Sequence, residues 1–289
     1  MARRFTVIQG GLSEAGATGS EPGPPPLAPE ATQWRVDLHR PGAVEDGAVA
    51  AWRALLARNA IVDPLRDPDH LLPLAQHRPA GRRIALALAW SRDAATGPEI
   101  LRGVVPLAMP HPVWGRRAEP WQPAEADPPG LVDMTAAEAV DRALRARLAA
   151  LRRPIRLVGS VETARVPAPG RPTRAVDRPA WPRAIPADAL LGVRPEGWDA
   201  PAASEILAVH EPAAVRDAVE TFLALDARTA RRPIVADPSE ASLVRVVSRL
   251  FGRRGALRVE FLRRAGEIVA GTLHLGAGPA SVAWRRARA

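Results

Sequence analysis

The strongest constraint on the fold is a change of hydrophobic period near Gly255. Upstream of it the apolar residues recur as on one face of a helix; downstream they alternate, as on one face of a strand. The first helical stretch carries Val215, Val219, Phe222, Leu223 and Leu225. The second starts at Asp237-Pro238 with Glu240 three residues after the cap, a capping pattern that satisfies orphan N–H groups. Its stripe reads Leu243, Val246, Val247, Leu250 and Phe251, with Arg245, Arg249 and Arg253 on the other face and Gly252 or Gly255 as its stop. Leu257, Val259 and Phe261 then alternate with Arg258 and Glu260. A turn at 265–267 leads to a strand over 268–275, and a second turn at 276–279 to a strand over 280–284. Two helices and an antiparallel meander bury their apolar surface together only if the helices cover one face of the sheet.

The first half repeats this order. A strand is expected over Gln33–Leu38, a helix over 44–59, a short helix over 69–76, and a hairpin of 84–90 with 100–109. An irregular Trp- and Pro-rich piece follows, with an edge strand near Trp114. Thr135 and Glu138 form a capping box for a helix with the seam Val140, Leu144, Leu148 and Leu151, before a short strand over 155–158. The expected class is α+β (α/β): two tandem lobes of mostly antiparallel sheet flanked by helices. The expected boundaries are a disordered Gly/Pro-rich leader over 1–31, a first lobe over 32–165, a Pro-rich connection over 166–203, and a second lobe over 204–289 that lacks its last helix and strand.

Composition narrows the chemistry. The chain has 289 residues, 47% of them hydrophobic, a net charge of +9, no cysteine and no lysine, so every basic residue is arginine. Without cysteine there is no thiolate metal site, disulfide or cysteine nucleophile. The arginines are interspersed with acids, which describes a solvated surface better than a nucleic-acid stripe. No apolar run reaches the length of a membrane span and no secretory signal opens the chain, which fits a cytoplasmic protein. The histidines lack metal-ligand spacing, and neither a phosphate loop nor a dinucleotide fingerprint occurs.

The order of elements, with the strings Trp52-Arg53-Ala54-Leu55, Val104-Val105-Pro106-Leu107 and Pro129-Gly130-Leu131-Val132-Asp133 in the first half, resembles the GNAT acyltransferases. Phe222-Leu223-Ala224-Leu225-Asp226, Arg258 to Leu262 and Gly266 to Leu275 carry the likeness in the second half. The similarity is to the CelD-type branch, bacterial proteins of cellulose and exopolysaccharide clusters that are related to the Fem peptidyltransferases and carry two GNAT halves. It spans about Gln33 to Trp284. The resemblance implies transfer of an acyl group from acetyl-CoA or another acyl-CoA to an amine or hydroxyl of a small-molecule or saccharide acceptor, without a metal. It implies His274, as general base, and Asp226 as the catalytic residues, Leu273, Leu275 and Trp284 against the acyl-CoA, and Arg228 and Glu220 near the acceptor.

Two departures bear on this expectation. Arg228-Thr229-Ala230-Arg231-Arg232 replaces a Gly-Trp-Lys-Gly-like segment, and the chain ends soon after Trp284, before the Ser-Pro-Gly-like turn and helix of the family. That helix tip grips the pyrophosphate of the co-substrate. The helix at Thr135 lacks a Gly-rich approach and is flanked by Asp133 and Glu138, which argues against pyrophosphate there and leaves only the pantetheine arm. The competing readings are a non-catalytic or truncated binding module and, behind it, an arginine-based polyanion binder. For His274 the plain alternative is a half-buried strand histidine facing the helices, for Trp284 a cap on the sheet core, for Asp226 and Arg228 a solvated helix end, and for Glu220 a surface carboxylate.

Overall fold

A computed structural model describes residues 32–79, 81–92, 97–111, 113, 115–123, 130–159, 161 and 204–288. The expected leader, the whole of the expected Pro-rich connection, and Trp114 lie outside the described residues.

The first lobe runs β1 (Gln33–His39), α1 (Asp46–Arg58), α2 (Pro68–His77), β2 (Arg83–Arg92), β3 (Ile100–Met109), β4 (Arg117–Pro120), β5 (Leu131–Val132), α3 (Ala137–Ala149) and β6 (Arg156–Leu157). The second runs β7 (Ser204–Val209), α4 (Pro212–Thr229), α5 (Pro238–Arg253), β8 (Leu257–Arg264), β9 (Glu267–Leu275) and β10 (Val282–Arg288). The class is α+β, with two mostly antiparallel sheets flanked by helices. Strand order is β1-β2-β3-β4-β6 in one sheet, with β5 also on β3, and β7-β8-β9-β10 in the other. The first four strands of each lobe are therefore joined in the same sequence. Among the described residues the one parallel pairing is β4 with β6, Arg117 opposite Arg156.

The two sheets differ in how they are covered. In the first, Leu86, Leu88 and Val104 face α1 and α2, while Ala87, Ala89, Val105 and Leu107 join Val140, Leu144 and Leu148 of α3 on the other side. At Gly103 an added Cβ would stand 2.8 Å from Val140 Cγ1, so only glycine lets α3 lie this close to the sheet. In the second sheet Val259, Phe261, Leu273, Leu275 and Trp284 pack on α4 and α5, and among the described residues no helix covers the opposite face. Phe222 of α4, fully buried, fills the place left by Gly271.

Several boundaries depart from expectation. Asp133, not Thr135, caps the start before α3: its Oδ1 accepts from Thr135 N at 3.1 Å and Thr135 Oγ1 at 2.8 Å, closing a 3-10 turn at Met134–Ala136. The acid competes better than the hydroxyl for a first-turn N–H. The strand expected near Trp114 lies at β4 and is an inner strand, not an edge, because β6 pairs with it. On α5 the buried stripe includes Val244 and Ser248, while Val246 and Leu250 are only half-buried. The helix packs on both α2 and α4, which the sequence alone does not announce. Gly255, with φ +65°, ends α5, and Ala265 and Gly266 (φ +50° and +84°) make the two-residue turn between β8 and β9.

One apolar cluster runs through both lobes, from Trp52 and Leu74 to Leu243 and Trp284. Its junction is an antiparallel pairing of α2 with α5, closed at both ends by matching charges. Arg254, the residue after α5, donates from Nη1 to Asp67 Oδ2 at 2.9 Å and Asp69 Oδ2 at 2.8 Å at the start of α2. Arg78, the residue after α2, reaches Asp237 Oδ2 at 2.7 Å and Glu240 Oε2 at 2.8 Å at the start of α5. Each cation sits at a helix C-terminus and each acid at an N-terminus, the favourable sense for both dipoles.

Candidate functional site

Alternation along β9 turns Leu273 and Leu275, both fully buried, toward the helices and His274 and Thr272 to the other face. His274 therefore does not face α4 and α5. Arg258 of β8 lies directly across from His274, and Glu260 across from Thr272. His274 Nε2 is 3.0 Å from Glu260 Oε2, off the line of a ring N–H hydrogen bond, so the contact is an ion pair only when the imidazole is charged. Arg258 Nη2 holds the other oxygen of Glu260 at 3.2 Å. Burial lowers the His274 pKa from its ordinary value, and Arg258 and Arg286 push the same way against Glu260. The ring is thus kept neutral, the state in which imidazole accepts a proton.

The edge strand beside it is irregular. Ala283 of β10 pairs with His274, but Arg285 pairs with Leu273, so Trp284 is an extra residue in the ladder. Such a bulge interrupts the regular ladder and twists the edge. The bulged side chain points inward: Trp284 is buried, meets the His70 ring edge-to-face at 5.8 Å, and carries the Arg285 guanidinium 4.6 Å from its ring centre. Arg285 in turn donates to Glu240 Oε1 at 2.7 Å. The bulge is thereby tied to the α2–α5 junction.

The remaining expected residues do not converge on His274. Asp226 is buried in the last turns of α4, where its Oδ2 accepts from Ile234 N at 2.6 Å. It secures the chain between α4 and α5 on the helix side of the sheet, the side away from His274, so the two expected catalytic residues are not brought together. Arg228 is exposed in the last turn of α4. Glu220 is exposed on α4 and takes both Arg245 Nε and Nη2, at 2.7 and 2.9 Å, which holds its carboxyl below the usual range. The side chains of Leu273, Leu275 and Trp284 belong to the core, so only their backbone and the bulge are open to a ligand.

At the start of α3 the question is whether an anion fits. Asp133 already engages the first turn there, and its Oδ2 accepts from Arg102 Nη1 at 2.9 Å. Burial alone would raise its pKa, but the bonds from Thr135 and Arg102 outweigh it and hold the carboxyl below its ordinary value. A pyrophosphate would have to displace a stable carboxylate, so this helix tip does not fit one.

Sequence reasoning missed Glu260, Arg258 and Arg286 as the surroundings of His274, because they become neighbours only through strand register. It also missed Asp67, Asp69, Arg78 and Arg254. The matching Asp-Pro starts of α2 and α5, each helix followed at once by an arginine, were the available signal. Among the described residues no three His, Cys, Asp or Glu side chains stand together as a metal site, and no helix is long and apolar enough to cross a membrane. No protein-family profile matches the chain, and no curated protein matches it.

Proposed function

We propose that the chain is a GNAT-type acyltransferase that moves an acyl group from acyl-CoA to an amine or hydroxyl, with His274 as the general base. A saccharide or its precursor is the acceptor class suggested by the resemblance to CelD-type proteins. The observation that carries the reading is the juxtaposition of a neutral, half-buried His274 with the bulge at Trp284 on the neighbouring strand. In this reading His274 takes the proton from the attacking nitrogen or oxygen, the new bond forms at the thioester carbon, and the carbon–sulfur bond breaks to release the thiol. In this reading a backbone N–H at the irregular bulge is the donor for the developing oxyanion. The outer edge of β10, unpaired among the described residues, offers N–H and C=O groups to the amide-bearing arm of the donor.

A second reading, a tandem scaffold that binds without catalysing, is favoured by the occupied helix tip at Asp133. The two readings separate on one experiment. Acetyl-CoA at millimolar concentration is added to the folded protein, and melting temperature and thiol release are followed across amine and sugar acceptors. Under the first reading the melting temperature rises, and H274Q lowers kcat by about 10²–10⁴-fold with little change in the KM for acetyl-CoA. No thermal shift and no thiol release over background would refute it in favour of the second.

A further inference from the structure

We propose a second ligand site, on the outer surface of α4 and α5, for a phosphate-headed molecule with an apolar body. It lies on the helix layer, whereas His274 is on the far face of the sheet, so it is independent of the acyltransferase reading. A groove of about 650 Å³ runs between the two helices. Its volume is in the range of small-molecule sites. Gly252 brings the helices together at one place, where an added Cβ would stand 3.3 Å from Val215 Cγ1. The two-pronged Glu220–Arg245 pair bridges them at another.

The lining is strongly cationic. Arg216 of α4 and Arg249 and Arg253 of α5 join Arg245 around it, against the single carboxylate of Glu220. Arg249 and Arg253 are exposed and have no ion-pair or hydrogen-bond partner among the described residues. The N-terminus of α4 adds to the field, since Glu211 makes no side-chain cap bond there. This contrasts with α2 and α5, whose first turns are closed by Asp67 and Asp237.

Two observations give the occupant its chemistry. Once Glu220 has neutralised Arg245, three guanidinium groups remain, more than a carboxylate's two oxygens and one charge can satisfy. A phosphate has up to two charges and three free oxygens, and matches the planar forks of arginine. Beneath the charges the floor is apolar, with Val215 and Val219. Ser248 is also part of this lining, only 2% exposed, and its Oγ is buried with no hydrogen-bond partner. A buried hydroxyl left unpaired is costly, and a rotation about its χ1 offers it to a bound oxygen.

Octyl phosphate, below its micellar concentration, is the probe for a free ligand, and vesicles containing phosphatidic acid test whether the headgroup is presented by a lipid surface. Calorimetric titration of the full chain with octyl phosphate is expected to show one site, weakened by salt. The R249Q/R253Q double variant should lose at least about tenfold in affinity, whereas R142Q, on the exposed face of α3, should lose none. S248A should bind more weakly and melt at a higher temperature when free, because it removes the orphaned hydroxyl. Vesicle binding that depends on Arg249 and Arg253 assigns the same chemistry to a membrane lipid; binding of octyl phosphate alone assigns it to a soluble one. Equal affinity for inorganic phosphate or octanoate, or binding that the double variant retains, overturns the proposal.

Discussion

Replacing Arg254 with methionine tests how far the two lobes depend on charge at their junction. The arginine side chain is 41% exposed, while those of Asp67 and Asp69 are 13% and 12% exposed. Methionine keeps the apolar stem over Phe251, whose ring centre lies 6.0 Å from the guanidinium, and deletes only the charge. Two charge-assisted bonds are lost, each worth about 1.5–3 kcal/mol when fully enclosed. Water reaches the guanidinium, which lowers that figure. Arg53 also stays, with Nη2 2.8 Å from Asp69 Oδ1 and Nε 3.9 Å from Asp67 Oδ1, so neither carboxylate is left alone. The expected cost is about 2 kcal/mol, a fall of about 4–8 °C in melting temperature for a domain of this size. The matching R78M change should cost about half as much, since Asp237 is 53% exposed and Glu240 keeps Arg285. Scanning calorimetry of R254M, R78M and the exposed control R142M measures these differences. A cycle of R254M with D69N should return a coupling of about 1 kcal/mol. A fall for R254M no larger than for R142M would refute the view that this clamp joins the lobes.

Three further outcomes follow from the packing and the titrating groups. G103A should lose about 1–3 kcal/mol in urea unfolding because its Cβ meets Val140, and V140A in the same chain should lose less than the two changes summed. F222A, which empties the fully buried ring position against Gly271, should cost about 3–5 kcal/mol by the same measurement. His274 has a folded pKa below the ordinary histidine value of about 6.5. The unfolded chain therefore binds a proton first as pH falls through 6.5, and the folded state loses stability from there down to the folded pKa. H274Q should remove this loss, so its urea midpoint should fall less between pH 7.5 and 5.5 than that of the parent; an identical fall would contradict the assignment.

The sequence by itself determined the local elements. Helical period, Asp-Pro starts and strand alternation located α1, α2, α4, α5 and the meander to within a few residues, because these signals depend only on near neighbours. It also determined, through alternation, that His274 and Leu273 face opposite ways, though not which face the helices take. Tertiary structure decided the rest. The buried stripe of α5 includes Ser248 because that side of the helix lies against α4, and Asp133 displaced Thr135 as a cap because Arg102 of β3 steadies its carboxylate. Glu260, Arg258 and Arg286 gather around His274 only by register, and Arg254 finds Asp67 and Asp69 across separations of 187 and 185 residues. Such contacts join residues far apart in sequence, so no pattern within a single segment contains them.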